Sequence, residues 1–224
     1  MPTEPLAVIW DVDGTLVDTG ELHFAAWERM AAEMGRPFTR ADFAATFGRR
    51  NPEIIRYLFH HDFTEVEVAD IGERKESYYR TAAEAGVPLL PGVQVLLDGF
   101  RAKGAKQAIG SSAPRGNLDL ILRLTKTHDY FGAVVGMEDT QRGKPDPQVF
   151  LVAAERLGVP PARCVVLEDA IAGVEAAKAG GMTCVAVTVA GHHPAAKLAA
   201  AGADRVIGNF TEVTAEEVLR LVNS

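Results

Sequence analysis

Short apolar runs alternate with amphipathic stretches along most of the chain, and this alternation predicts the fold. Leu6 to Trp10 is typical of a buried strand, and further strands are predicted at 105–110, 132–136, 163–168, 183–189 and 204–207. Helical patterns lie near 92–103, 115–125, 146–157, 171–179, 194–201 and 212–222. Repeated strand and helix units predict an α/β fold, a Rossmann-like open parallel sheet with helices on both faces.

Between the first strand and Leu90 the pattern is helical throughout, which indicates an insertion. One helix is expected to begin after Asp18, with Glu21 in a box-like cap, and to end at Gly35. Thr39 and Asn51 are predicted caps of two more helices, and a fourth is expected at 64–85. The sequence therefore predicts a core domain of residues 1–17 and 89–224, and an inserted α-helical cap domain of residues 18–88 that acts as a mobile lid.

Composition narrows the classes of partner. The chain has 224 residues, 47% of them hydrophobic, which is enough for a substantial core, and its formal charge of -7 argues against general binding to nucleic acid or anionic membranes. Met1 to Pro5 lacks the pattern of a signal peptide, and no apolar run approaches membrane-spanning length. We therefore expect a cytoplasmic protein, a monomer, with no nucleic-acid or membrane partner.

The run Asp11-Val12-Asp13-Gly14 lies where the first strand breaks into a loop. Two acids so close repel each other unless a cation neutralises them, and hard oxygen ligands suit Mg²⁺. A carboxylate can also attack a phosphoryl group and form an aspartyl phosphate. The alternative is that these residues form a simple turn, since Asp and Gly favour turns.

Polar residues also follow the other predicted strands: Ser111 and Ser112, then a loop that leads to Lys144, then Glu168 and Asp169. Ligands of an open parallel sheet bind outside the carboxyl ends of its strands. A nucleophile, hydroxyl donors, a cation and further acids at that edge suit metal-assisted phosphoryl transfer. Any one of them alone could be a helix cap or a solvated charge.

These motifs, in their order and spacing, resemble the haloacid dehalogenase superfamily, in its phosphatase and β-phosphoglucomutase-like branch, over almost the whole chain. The resemblance implies that Asp11 is the nucleophile and Asp13 the general acid and base. Ser111 would bind the transferring phosphoryl group, and Lys144, within Gly-Lys-Pro-Asp-Pro, would neutralise its charge.

The same resemblance implies a Mg²⁺ cofactor. Its ligands would be Asp11, the backbone carbonyl of Asp13, Asp169, and Glu168 directly or through water. Dehalogenase chemistry is disfavoured, because that branch lacks the second acid of the first motif and needs no metal, whereas Asp13 and Asp169 are both present.

Substrate-binding residues are expected in the insertion and beside the second motif. They are His23, Trp27, Arg49, Arg50, Lys75, Ser112 and Arg115. His23 and Trp27 share a helix face and resemble the β-phosphoglucomutase cap, in which the histidine orients the general acid; Trp27 has a packing role as its alternative. Lys75 falls where the mutases place a substrate lysine.

Two departures from the mutases favour hydrolysis. The Lys-Asn pair that grips a second phosphate is replaced by Ala-Pro-Arg, ending at Arg115, and the cap segment Gly-Arg-Arg-Asn shifts the register of Arg49 and Arg50. We therefore expect a Mg²⁺-dependent phosphatase of small phosphorylated metabolites, in particular sugar phosphates. A phosphosugar mutase is the first alternative, in which the three arginines hold a second phosphate, and a catalytically idle binding protein is the second.

Overall fold

The computed structural model describes residues 5–223 and shows a six-stranded parallel sheet. The strands are β1 (Ala7–Trp10), β2 (Lys106–Gly110), β3 (Ala133–Val135), β4 (Cys164–Glu168), β5 (Thr183–Val187) and β6 (Arg205–Ile207). Their order is β3-β2-β1-β4-β5-β6. The predicted α/β fold is confirmed, and every strand ends within two residues of its predicted limits.

The register places the first strand in the middle of the sheet. Trp10, the last residue of β1, lies opposite Ile109 of β2 on one side and Leu167 of β4 on the other. Since all three strands run in the same direction, the residues that follow them emerge at one edge. This arrangement brings together segments that are far apart in the sequence.

Helices cover both faces of the sheet. The α-helices of the described residues are α1 (Gly20–Glu33), α2 (Arg40–Thr46), α3 (Asn51–Phe59), α4 (Glu65–Ala83), α5 (Val93–Ala102), α6 (Arg115–Thr125), α7 (Gln148–Leu157), α8 (Ile171–Ala179), α9 (Ala195–Ala200) and α10 (Ala215–Arg220). Side chains alternate along each strand, so Val8 and Trp10 pack under α5, α6 and α10, while Ala7 and Ile9 pack under α7, α8 and α9.

Helices α1 to α4 form a layer of their own, which we call the helical segment (residues 20–83). It has a separate apolar cluster that includes Trp27, Met30 and Ile55. The chain leaves and re-enters the sheet domain at adjacent points, because Val17 forms an isolated antiparallel bridge with Leu89. Four helices lie between Val17 and Leu89, as predicted. That they form a cap domain, with boundaries at 17/18 and 88/89, stays a prediction.

Two predicted helix caps were wrong, and one was right. Thr39 caps α2 as predicted, through a capping box with Asp42. The first helix is instead preceded by Thr19, whose side chain makes no cap hydrogen bond, and Glu21 forms an ion pair with Arg40 rather than a capping box. The partner of Glu21 is distant in sequence, and local spacing does not reveal such a partner.

The third helix also begins differently from the prediction. Arg50 is its N-cap, and Asn51 is its first helical residue, with Pro52 after it. The predicted helix at 212–222 is shorter, since α10 is flanked by the 3₁₀ turns Phe210–Glu212 and Leu221–Asn223.

Residues 1–4, which carry most of the N-terminal segment judged unlike a signal peptide and the start of the predicted core domain, lie outside the described residues, as does Ser224. Within residues 5–223, no helix combines the length and the apolar character needed to cross a membrane.

Gly92 lies near the point where the chain re-enters the sheet domain, and we expect its substitution to cost more stability than that of Gly35. Gly92 has φ +87°, and a Cβ there would lie 2.5 Å from the carbonyl carbon of Phe210. Gly35 has φ +75°, but a Cβ there would meet no other described atom within 4 Å. We expect Gly35→Ala to cost about 1–2 kcal/mol from its backbone conformation alone, and Gly92→Ala clearly more. Urea unfolding of both variants measures the difference; equal losses would contradict it.

Candidate active site

The predicted chemistry-bearing residues of the sheet domain meet at one edge. Asp11 follows β1, Ser111 follows β2, Glu168 ends β4 and Asp169 follows it. Lys144 reaches the same place from the loop between β3 and α7. All five side chains are buried, so their charges interact in surroundings where water screens them weakly.

Lys144 is the central cation of this cluster. Its Nζ donates to Asp11 Oδ1 at 2.6 Å and to Glu168 Oε1 at 2.7 Å, and it lies 4.7 Å from the centre of the Phe150 ring. Burial alone would lower the pKa of Lys144, but Asp11 and Glu168 raise it. The lysine therefore stays charged and fixes the orientation of Asp11.

The remaining negative charge points to a metal. Ligand oxygens of Asp11, Glu168 and Asp169 lie within 4.8 Å of one another, and Asp169 Oδ2 is buried with no hydrogen-bond partner among the described residues. Burial raises the pKa of Asp11 to about 7, against the opposing effect of Lys144, and burial with the neighbouring acids also raises the pKa of Asp169. Three acids around one lysine leave a negative site that fits a divalent cation with oxygen ligands.

Glu168 is held by the start of α8. Its Oε2 accepts hydrogen bonds from the backbone amides of Asp169 at 2.7 Å and Ala170 at 2.6 Å. Gly173, in the first turn of α8, leaves room for this carboxylate, because a Cβ there would lie 1.7 Å from Glu168 Oε1. A glycine that the sequence marks only as part of a helix is thus needed for the shape of the site.

Asp13 faces the helical segment rather than the acidic cluster. Its Oδ1 accepts a hydrogen bond from Thr19 Oγ1 at 2.5 Å and lies 3.1 Å from His23 Nε2. Burial alone would raise the pKa of Asp13, but the contacts with His23 and Thr19 and the nearby charge of Lys75 lower it to about 2. Asp13 is therefore ionised, and its carboxylate binds the linker residue Thr19 and the helical segment.

The two serines behave differently. Ser111 Oγ accepts a hydrogen bond from the backbone amide of Ala113 at 3.1 Å, which leaves its own hydrogen free to donate. Ser112 Oγ is buried and has no hydrogen-bond partner among the described residues. Both line the pocket, so both can donate to a group that enters it.

A pocket lies between the sheet edge and the helical segment. Its wall includes Asp11, Asp13, Ser111, Ser112, Glu168 and Asp169 from the sheet side, and His23, Trp27, Phe43, Phe47, Arg49, Ile54 and Lys75 from the helical segment. The two layers also contact each other directly, because the His192 ring packs against Phe47 with ring centres 3.9 Å apart. The apolar wall suits the carbon skeleton of a small ligand, and the acids and hydroxyls suit its polar end.

Of the seven predicted substrate residues, Arg50 and Arg115 do not line this pocket. Arg50 Nη2 donates to the backbone carbonyl of Met137 at 2.7 Å, and Arg115 Nη2 donates to that of Val134 at 2.9 Å and to Asp139 at 3.2 Å. Arg50 therefore binds the segment after β3, and Arg115 binds both β3 and that segment. The spacing of basic residues does not reveal these partners.

Lys75 and Trp27 reach the pocket wall but are almost wholly buried, with exposed fractions of 1% and 2%. Lys75 Nζ contacts His23 Nδ1 at 2.7 Å and Glu76 Oε1 at 3.0 Å, so two of its three hydrogens point to groups within the protein. Trp27 belongs to the apolar cluster of the helical segment. Most of the Trp27 surface is therefore packed against other residues, as its alternative packing role requires.

Sequence reasoning missed several residues at the site. Thr19 bonds to Asp13, the Tyr79 ring stacks on His23 with centres 4.1 Å apart, and Glu76 is a buried acid beside Lys75. Tyr79 is four residues after Lys75 on α4, and that helical spacing was the one available signal.

Known proteins resemble this chain over the segments that form the site. The model of the haloacid dehalogenase-like hydrolase family matches residues 8–187, a stretch that contains every residue of the acidic cluster. The chain belongs to the haloacid dehalogenase-like hydrolases. This hydrolase is 35% identical to a β-phosphoglucomutase of Bacillus subtilis, over 94% of this chain and 92% of the relative.

Another relative is named as a phosphatase. The hydrolase is 30% identical to hexitol phosphatase B of Escherichia coli, over 97% of this chain and 98% of the relative. A crystal structure of a β-phosphoglucomutase from Clostridium difficile has the same fold, with a TM-score of 0.88 and 24% identity, over 98% of this chain and 97% of that one.

The packing of Gly173 against Glu168 predicts a loss of activity. Gly173→Ala is expected to displace the Glu168 carboxylate from Lys144, and so to lower Mg²⁺ affinity or turnover by at least about tenfold. Gly116→Ala is the matched control, because that helical glycine has its nearest neighbour at 3.7 Å. Calorimetric titration with Mg²⁺ and turnover measure both variants; an unchanged Gly173→Ala protein would contradict the packing argument.

Proposed function

We propose that this hydrolase is a Mg²⁺-dependent phosphatase of small phosphorylated metabolites, with sugar phosphates as its substrate class. The observation that carries the proposal is the paired contact of buried Lys144 with Asp11 and Glu168, beside a pocket that also holds Asp13. Hexitol phosphatase B and the β-phosphoglucomutase are named for phosphorylated polyols or sugars, which supports this substrate class.

Asp11 is the proposed nucleophile. Its carboxylate oxygen attacks phosphorus in line, so that the oxygen–phosphorus bond to Asp11 forms as the bond to the substrate oxygen breaks. Lys144 offsets negative charge at the reacting carboxylate, and Ser111 donates its free hydrogen to a phosphoryl oxygen. Mg²⁺, held by Asp11 and Asp169 with Glu168 and the Asp13 carbonyl completing its ligands, would supply further positive charge to the phosphoryl oxygens.

Asp13 is the proposed general acid and base. The negative phosphoryl group raises the pKa of Asp13 as it arrives beside it, so that the acid is protonated when the substrate is bound. Asp13 gives this proton to the leaving oxygen, and then takes a proton from the water that attacks the aspartyl phosphate. The second attack releases phosphate and restores the Asp11 carboxylate.

We also propose that residues 18–88 act as a cap that opens for substrate and closes over it. Three features support this: the separate apolar cluster of the helical segment, the pocket beneath it, and the adjacency of the two connections at Val17 and Leu89. Two connections that lie side by side suit a hinge, and closure would exclude water from the aspartyl phosphate.

The positions of the arginines favour hydrolysis over mutase chemistry. A mutase must hold a second phosphate at the far end of its intermediate, and Arg50 and Arg115 are engaged outside the pocket. Arg49 is the arginine that lines it. A phosphosugar mutase remains the second candidate, because the 35% identity to a β-phosphoglucomutase extends over nearly the whole chain.

A panel of sugar phosphates tests the proposal. We expect purified protein with Mg²⁺ to release free phosphate from a monophosphate, and chelation of the metal to abolish the release. Asp11→Asn should retain the fold, measured by circular dichroism, and lose turnover, because an amide is a poor nucleophile for phosphorus.

One assay in the panel separates the two candidates. β-Glucose 1-phosphate is supplied with a trace of glucose 1,6-bisphosphate, and free phosphate and glucose 6-phosphate are followed separately. Formation of glucose 6-phosphate without net phosphate release would contradict the phosphatase proposal and support the mutase. Turnover by Asp11→Asn would refute the nucleophile assignment.

A further inference from the structure

A second buried ion pair lies in the helical segment, and the proposed mechanism does not use all of it. Glu76, 2% exposed, accepts hydrogen bonds from three side chains: Lys75 Nζ at 3.0 Å, Asn51 Nδ2 at 2.8 Å and Asn117 Nδ2 at 2.7 Å. Burial would raise the pKa of Glu76, but Lys75 and the two asparagines contribute to lowering it. The carboxylate is therefore ionised and fully engaged.

Lys75 determines which nitrogen of His23 carries a proton. An ammonium group can only donate, so at 2.7 Å from Lys75 Nζ the Nδ1 atom of His23 must be the acceptor. The ring proton then lies on Nε2, which faces Asp13 Oδ1 at 3.1 Å and donates to it. In the other tautomer, Nε2 would present a lone pair to the Asp13 carboxylate.

Glu76 keeps Lys75 in the position that this arrangement needs. A buried ammonium group without a counter-charge is unfavourable, so a Lys75 side chain that lacked Glu76 would turn toward water. That movement would remove the donor that faces His23 Nδ1. Glu76 thus acts on Asp13 through Lys75 and His23, although it does not touch Asp13.

Asn117 adds a link to the sheet domain. It lies in α6, whereas Asn51, Lys75 and Glu76 belong to the helical segment. Its Nδ2 donates to Glu76, and its Oδ1 accepts from Arg80 Nη1 of α4 at 3.3 Å. The hydrogen bond from Asn117 to Glu76 therefore exists only when the helical segment lies against α6.

We infer that Glu76, held by Asn51 and Asn117, is a positioning residue for the general acid and base and acts through Lys75 and His23. This inference rests on the proposed phosphatase function. It assigns Lys75 to the support of His23 rather than to the substrate.

The tautomer of His23 tests the inference without any turnover. In nitrogen-15 spectra of histidine-labelled protein, with His23→Gln used to assign the signal, we expect the Nε2-protonated ring in the wild type. Glu76→Gln should shift His23 toward the other tautomer. Glu73→Gln is the matched control, since Glu73 lies on the same helix, is exposed and pairs with Arg80. A different wild-type tautomer, or no change in Glu76→Gln, would overturn the inference.

Leaving-group dependence supplies the kinetic test. A sugar phosphate needs a proton on its leaving oxygen, whereas nitrophenyl phosphate does not. General acid catalysis contributes about 10²–10⁴-fold, so Glu76→Gln should slow the first turnover of the sugar phosphate by at least about tenfold. It should slow that of nitrophenyl phosphate less than about threefold. Equal losses on both substrates would reveal a merely structural role and overturn the inference.

Asn117→Ala keeps the test decisive if Glu76→Gln fails to fold. It leaves the Lys75–Glu76 pair intact and removes the hydrogen bonds of Asn117 to Glu76 and Arg80. We expect a smaller loss than in Glu76→Gln, again greater on the sugar phosphate than on nitrophenyl phosphate. An even loss on the two substrates would overturn the inference. Wild-type protein inactive on both substrates would refute the phosphatase, and the His23 spectra would still decide the role of Glu76.

Discussion

The excess of buried negative charge at the carboxyl edge of the sheet is the constraint on which the site depends. Asp11, Glu168 and Asp169 lie within 4.8 Å of one another, and Lys144 neutralises only part of their charge. Leaving such charges buried costs several kcal/mol unless partners are supplied. The backbone amides at the start of α8 are such partners for Glu168, and Gly173 leaves the space that its carboxylate occupies. The negative charge that remains fits a cation.

A second set of charges, in the helical segment, has the same design. Lys75 pairs with Glu76 as Lys144 pairs with Glu168. Each lysine also contacts a second group: Lys75 contacts His23, and Lys144 contacts Asp11. In the proposed mechanism the sheet domain therefore orients the nucleophile and the helical segment orients the general acid. The reaction then needs both layers in contact, and the covered pocket excludes water from the aspartyl phosphate.

Most of the fold was predictable because strand and helix periods are local properties of the sequence. The strands, and the residues that follow β1, β2 and β4, were placed correctly from apolar runs alone. The predictions for Glu21 and Asn51 were wrong for a shared reason: each side chain is claimed by a charged residue distant in sequence, Arg40 and Glu76 respectively. Arg50 and Arg115 were expected near the substrate, but their side chains bind the segment after β3 and β3 itself, respectively. Spacing predicts the face of a helix but not the direction of a long side chain.

The stereochemistry of transfer at phosphorus tests the central claim, which is that Asp11 attacks before water does. A sugar phosphate made chiral with three oxygen isotopes is hydrolysed in ordinary water with an acceptor alcohol present, and the configuration of the transferred phosphoryl group is read out. Two in-line displacements, first by Asp11 and then by the acceptor, predict overall retention. Inversion would mean a single direct displacement and would contradict the account.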